Sequence, residues 1–180
     1  MKKILAFAGS NSSTSINQKL INFAASKITG HEVQHIKLTD YDLPLFSVDR
    51  EKNRGYSVEL SLLRNEIMDA DALMISVNEH NGAVSAFFKN TLDWLSRIEY
   101  KFLADTKILL MSTSPGKRGA ASALEYTKGV LPRFGGEVVE SFSFPSFKEN
   151  FSEEEQTITN EVLLLGFMDV IQNFEHQIES

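Results

Sequence analysis

Ala72–Trp94 reads ALMISVNEHNGAVSAFFKNTLDW and changes character twice. Ala72 to Val77 are apolar or small, Asn78-Glu79-His80-Asn81 are polar, and after Gly82 an apolar pattern with helical spacing begins and runs from Ser85 to Ile98. A run apolar on both faces suits a central strand of a parallel sheet, because helices cover both of its sides. Passing through a short polar loop into a helix, it makes half of a βαβ unit. In an open α/β sheet such a loop lies at the carboxyl edge, where ligands bind. Asn78 to Gly82 is therefore a candidate site on position alone.

The pattern recurs on either side. Lys3–Ala8 (KILAFA) is a first strand ending in Gly9-Ser10, and Ile16, Leu20, Phe23, Ala24 and Ile28 mark the helix behind it. Glu32 to Leu38 alternates polar and apolar residues, as an edge strand does. Leu43-Pro44-Leu45 and the charged run Asp49 to Gly55 read as one long connection before a helix at about Ser57 to Ala70. Downstream, Lys107 to Met111 is a fourth strand and Ala120 to Phe134 a helix, ended by Gly135-Gly136. Glu137 to Phe144 is the fifth strand. Ser152 and Glu155 form a capping-box signature, which predicts a last helix starting near Ser152 with Ile158, Val162, Leu165, Ile171, Phe174 and Ile178 on its apolar face. Five strands alternating with helices give an α/β fold of three layers. The economical topology is a flavodoxin-like, five-stranded parallel sheet in the order 2-1-3-4-5, a single domain over residues 1–180 with helices on both faces. The loops after strands 1, 3 and 4 then converge at one crevice.

Composition narrows the function. The chain has 180 residues, enough to bury roughly 70% of the surface its unfolded form exposes. A net charge of −6, with 18 scattered Lys and Arg, argues against a nucleic-acid partner. Without cysteine there is no thiol nucleophile, iron–sulfur cluster or thiolate zinc site. The apolar run behind Met1-Lys2-Lys3 is too short for a signal peptide, and no stretch approaches the ~20 apolar residues of a membrane span. A cytoplasmic protein without membrane contact is expected.

Each loop has its own chemistry. Gly9 to Asn17 (GSNSSTSIN) holds five Ser or Thr in nine positions at a helix start, where free N–H groups favour an anion. One such residue suffices as an N-cap, so the excess points to phosphate. The loop matches neither GxxxxGK[ST] nor GxGxxG. Asn78 to Gly82 is either a ligand wall or a plain Asn-Gly turn. His80 has no partner nucleophile, and Glu79 beside it lacks the further ligands a zinc site needs. Ser112 to Gly119 (STSPGKRG) combines small residues, which let backbone approach a flat ligand, with Lys117 and Arg118.

Taken in order, the three loops resemble the NAD(P)H-dependent FMN reductase family of flavodoxin-like quinone, azo-dye and chromate reductases. Gly9, Ser10, Ser15 and Asn17 match its phosphate loop. Glu79, Asn81, Gly82, Lys89, Asn90, Asp93 and Trp94 match its second loop and following helix, and Ser114, Gly116 and Gly119 match its third loop. The resemblance implies an FMN whose phosphate sits on Ser10, Ser12, Ser15 and Asn17. Asn78, Glu79, His80 and Asn81 then line the ring edge, and Ser112, Ser114, Gly116 and Lys117 close its other side. It also implies NADPH or NADH as donor, a quinone-like or other small-molecule electron acceptor, no protein group as catalytic residue, and a homodimer or dimer of dimers. Three positions depart from the family pattern: Ser12 replaces a frequent arginine, and Asn78 and His80 replace proline and tyrosine. FMN is therefore expected to be held loosely. Trp94 and its neighbours read as core or subunit interface, and Lys89 and Asp93 as an i, i+4 ion pair. Two other readings stand beside this one. They are a flavodoxin-like electron carrier without efficient NAD(P)H turnover, and a hydrolase or transferase of a small phosphorylated substrate with His80 or Glu79 as base.

Overall fold

The computed structural model describes residues 1–179. From the amino end, β1 (Lys3–Ala8) leads into α1 (Ile16–Lys27) and β2 (Glu32–His35), and then α2 (Val48–Arg54) and α3 (Val58–Met68) precede β3 (Ala72–Val77). A small hairpin, β4 (Glu79–His80) and β5 (Ala83–Val84), opens α4 (Ala86–Ile98), followed by β6 (Lys107–Thr113), α5 (Ala121–Val130) and β7 (Glu137–Phe144). The chain continues through α6 (Phe147–Asn150), a second hairpin of β8 (Phe151–Ser152) and β9 (Thr157–Ile158), and α7 (Glu161–Glu179).

The main sheet runs β2-β1-β3-β6-β7, every pair parallel. This is the expected 2-1-3-4-5 order, with β6 and β7 as the fourth and fifth main strands. Side chains alternate across the sheet with period two. Leu5, Phe7, Leu73, Ile75 and Leu110 pack toward α3, α4 and α5, whereas Ile4, Ala6, Met74, Leu109 and Met111 pack toward α1 and α7. The register pairs Ala8 with Ser76 and Val77 with Ser112, so the three central strands end at one level. Their loops share one edge as a consequence.

At the opposite edge, Asp71 fastens β1 to β3. Its carboxylate accepts from the Lys3 N–H at 2.8 Å, its own N–H donates to the Lys3 carbonyl at 2.9 Å, and Lys2 Nζ lies 3.6 Å away. The Lys3 hydrogen bond first, and then the Lys2 charge, hold the carboxyl below the usual carboxylate range. A depressed folded pKa contributes stability that is present above the ordinary value near ~4 and is lost as pH falls below it. Asp71→Asn should therefore show a smaller loss of melting temperature than the native chain on acidification through that window, as read by circular dichroism.

Four expectations change. The charged connection is not all loop, because Ser47 caps a helix at its start, accepting from the Arg50 N–H at 3.1 Å, and Gly55 ends it at φ +66°. β2 stops at His35, and Leu38–Asp40 form a 3-10 turn. The last helix begins at Glu161 rather than near Ser152. Ser152 Oγ does accept from the Glu155 N–H at 3.1 Å, but in the turn of the β8–β9 hairpin, while Asn160 supplies a cap, its Oδ1 accepting from Leu163 N–H at 3.1 Å. Along α7, Phe167, Ile171, Phe174 and Ile178 are buried as the spacing predicts, but Val162 and Leu165 are exposed.

Candidate functional site

The loops after β1, β3 and β6 meet around the side chain of Asn17, which is 2% exposed. Asn17 Oδ1 accepts from Ser76 Oγ at 2.7 Å and from Thr113 N–H at 3.1 Å, and its Nδ2 donates to the Thr113 carbonyl at 3.2 Å. One amide thus ties the start of α1 to the ends of β3 and β6. Gly9 sits beside this knot. An added Cβ there would come within 2.9 Å of the Phe88 ring, and Ser85 Oγ donates to the Gly9 carbonyl at 2.9 Å while accepting from Phe88 N–H at 3.1 Å. The first loop is in this way clamped to the start of α4.

Within the first loop, Ser15 caps α1 by accepting from Gln18 N–H at 3.2 Å. Ser10 Oγ accepts from Ser12 N–H and Ser12 Oγ from Thr14 N–H, which folds the hydroxyls over the helix start. The first turn of α1 contains no acidic residue, and no hydrogen bond to protein takes up the Ile16 and Asn17 N–H groups. Free N–H groups, exposed hydroxyls and the positive end of the helix dipole suit an anion.

The second loop is a tight hairpin. Asn81 (φ +52°) and Gly82 (φ +79°) make its turn, as the Asn-Gly pair suggests. Glu79 turns away from the opening and caps α5, its Oε2 accepting from Ser122 N–H at 2.9 Å and Ala123 N–H at 3.1 Å. Ala120, at φ +63°, has no side chain able to do this. Asn78 Nδ2 donates to His80 Nε2 at 3.1 Å, so that nitrogen carries no proton in this arrangement. Asn78 Oδ1 is buried without a partner. A buried acceptor left unpaired costs about 1–3 kcal/mol, which a bound donor would recover.

In the third loop, Ser112 Oγ is buried and donates to the Gly119 carbonyl at 2.7 Å. Gly119 has φ +57°, and a Cβ on it would lie 2.6 Å from Ser143 Oγ and 2.8 Å from the Phe144 backbone, so only glycine fits. Ser114 Oγ accepts from Gly116 N–H at 3.3 Å. Lys117 is exposed and makes no hydrogen bond or ion pair among the described residues.

Between the loops lies a cleft of about 220 Å³. Ser10, Ser12, Ser15 and Asn17 line it from the first loop, Asn78, Glu79 and His80 from the second, and Ser114 from the third. Asn81, Ser112, Gly116 and Lys117 do not reach its wall. Asn11, Thr14, Thr113 and Pro115 do, although no motif position singles them out. No Lys or Arg lines the cleft. A groove of about 580 Å³ opens on the far side of the first loop toward Lys37 and Asp40.

The family description "NADPH-dependent FMN reductase" matches residues 2–149. The chain belongs to this FMN reductase family. Its sequence is 29% identical to a quinone reductase of Escherichia coli (strain K12) over 110 residues, 56% of this chain and 58% of that one. It is 32% identical to an NADPH:quinone oxidoreductase of Arabidopsis thaliana over 124 residues, 67% of this chain and 62% of that one. Each match spans less than two thirds of the relative's length. The fold matches FerB, a flavoenzyme NAD(P)H:(acceptor) oxidoreductase from Paracoccus denitrificans, with TM-score 0.83 and 23% identity over 99% of this chain and 98% of that one.

Two further residues of the FMN reductase pattern have structural roles. Asn90 holds the segment after β2, its Oδ1 accepting from Phe46 N–H at 2.8 Å and its Nδ2 donating to the carbonyls of Leu43 and Pro44. Trp94 is buried, donates from Nε1 to the Pro44 carbonyl at 2.6 Å and packs edge-on against Phe46. Lys89 and Asp93 form the expected ion pair. Among the described residues no helix is long and apolar enough to cross a membrane, and no cluster of His, Asp and Glu could hold a metal.

Proposed function

We propose that this chain binds FMN in the three-loop cleft and passes electrons from NADPH or NADH to a quinone-like or other small acceptor. Asn78 carries the reading: its Oδ1 is a buried acceptor without a donor, in the wall of a cleft whose other end is an anion-binding helix start. A ligand with a phosphate at one end and a hydrogen-bond donor on a flat ring at the other satisfies both. Ser10, Ser12 and Ser15 hydroxyls and the α1 N–H groups would hold the phosphate. Asn17 acts behind them, fixing the loop through its three buried hydrogen bonds. Asn78 and His80 would meet the ring edge, and Thr113 to Pro115 its other side.

Bound FMN supplies hydride acceptance from the nicotinamide and electron release to the acceptor. The protein's part is to bind, orient and leave one face of the ring open. A cleft of 220 Å³ is smaller than the roughly 300–1,000 Å³ of sites that enclose a whole ligand, so the second substrate has access. The quinone reductase and NADPH:quinone oxidoreductase names of the relatives support the same acceptor class. A hydrolase or transferase fits less well, because Glu79 is occupied by two backbone N–H groups and His80 Nε2 by Asn78. Neither is free to act as a base.

Purified protein mixed with FMN should give FMN-dependent oxidation of NADPH or NADH with a quinone present. No bound FMN and no such oxidation would overturn the reading, and binding without turnover would favour an electron carrier. A homodimer, or a dimer of dimers, belongs to the same proposal, supported by the exposed apolar side chains of Leu45, Val58 and Leu62 on the α2–α3 side.

A further inference from the structure

A second cavity lies on the other side of α4, away from the three loops. It measures about 210 Å³, and its walls include Leu43, Pro44, Leu60 and Trp94. No residue is shared between it and the cleft. Arg50 and Arg54 also line it, four positions apart on α2 and hence on one helix face. Among the described residues neither guanidinium has a hydrogen bond or ion pair to protein. The contrast with Arg97 is direct, since Arg97 takes both carboxylate oxygens of Glu51 at 3.0 and 3.1 Å, and Tyr56 donates to the same carboxylate. The nearest acid on α2 is thereby spent, and two unneutralised cations face an apolar chamber.

We propose that this cavity is a second ligand site, for a small organic anion with an apolar body, of the kind represented by a cycloalkyl carboxylate. The apolar body would fill the chamber between Leu60 and Trp94, and the carboxylate would take the fork of Arg50 or Arg54, the geometry in which guanidinium recognises carboxylate best. The size sets the class. A volume of 210 Å³ equals about seven water molecules at roughly 30 Å³ each, which suits a ligand of similar heavy-atom count and is too small for a flavin.

Trp94 is the only tryptophan in the chain, so its fluorescence reports this wall directly and does not depend on NAD(P)H turnover. The probe is cyclohexanecarboxylate, which does not absorb where indole is excited, titrated into the full-length protein with and without FMN. A saturable change in emission is expected, at least about tenfold weaker with the neutral cyclohexanecarboxamide, because the lost ionic hydrogen bonds are worth about 1.5 kcal/mol or more. Arg50→Gln and Arg54→Gln should each weaken the response, and the double variant should weaken it about tenfold or more while melting like the native chain. No saturable change, equal affinity for the amide, or full affinity in the double variant would each overturn the site. These outcomes are separate from those of the FMN assay, since the cavity can be occupied whether or not the cleft binds flavin.

Discussion

Asn17→Ala is expected to lower the melting temperature by about 6–15 °C and to weaken FMN binding with it. The substitution strands three buried groups at once: the Ser76 hydroxyl, the Thr113 N–H and the Thr113 carbonyl. A buried polar group left without a partner costs about 1–3 kcal/mol, so a total of about 3–5 kcal/mol is reasonable. At this chain length each kcal/mol moves the midpoint by about 2–4 °C. Ser76→Ala removes a single donor and should cost about 1 kcal/mol. Asn17→Asp separates acceptor from donor. It keeps the Oδ acceptor for Ser76 and Thr113 N–H but places a second oxygen where Nδ2 donated to the Thr113 carbonyl. Burial and that carbonyl raise the new carboxyl's pKa in the folded state, and only the protonated form can donate. The variant should therefore be more stable below the ordinary aspartate pKa and lose that gain as pH rises through the raised value. Melting curves of the three variants across pH provide the check. An Asn17→Ala midpoint within 2–4 °C of native, the equivalent of about 1 kcal/mol, would show that the amide does not hold the loops together.

The sheet was legible because period-two alternation and the polar breaks after β1, β3 and β6 are local signals. Ala72 to Val77 alone sufficed to mark a central strand. Ser152 and Glu155 misled for a physical reason: a serine hydroxyl accepting from the N–H three residues on closes a hairpin turn as readily as it caps a helix. The signal for the true start of α7 was Asn160, three residues before Leu163. Asn17 shows a different limit. A polar residue at a helix start reads as ligand-facing, but its partners lie 59 and 96 residues away, and no spacing rule connects them. Glu79 is similar, because its value as a cap depends on α5 beginning at a residue, Ala120, that cannot cap itself. Asn90 and Trp94 look like site residues in the motif, yet their hydrogen bonds anchor the segment after β2.

Ser12→Arg is expected to tighten FMN by about ten- to a hundredfold. The cleft has no Lys or Arg in its wall, so any phosphate there relies on hydroxyls, N–H groups and the α1 dipole. An ionic hydrogen bond from a guanidinium adds about 1.5–3 kcal/mol, which is that range of affinity. The cost of losing the serine is small. Its Oγ makes only long contacts, to Thr14 N–H at 3.3 Å and Thr14 Oγ1 at 3.4 Å, and the residue is exposed, so water replaces them. Asp40 across the adjoining groove is the one acidic side chain there that could compete for the new cation. Ser12→Lys should gain less, because an ammonium does not match the phosphate with a planar fork. Riboflavin, which has the ring without the phosphate, separates the causes. If the arginine acts on phosphate, riboflavin binding stays unchanged in Ser12→Arg while FMN tightens, and the gain shrinks as salt is raised. Equal tightening of both ligands would place the effect on the ring, and no tightening of FMN would mean that its phosphate is not held by the Gly9 to Asn17 loop.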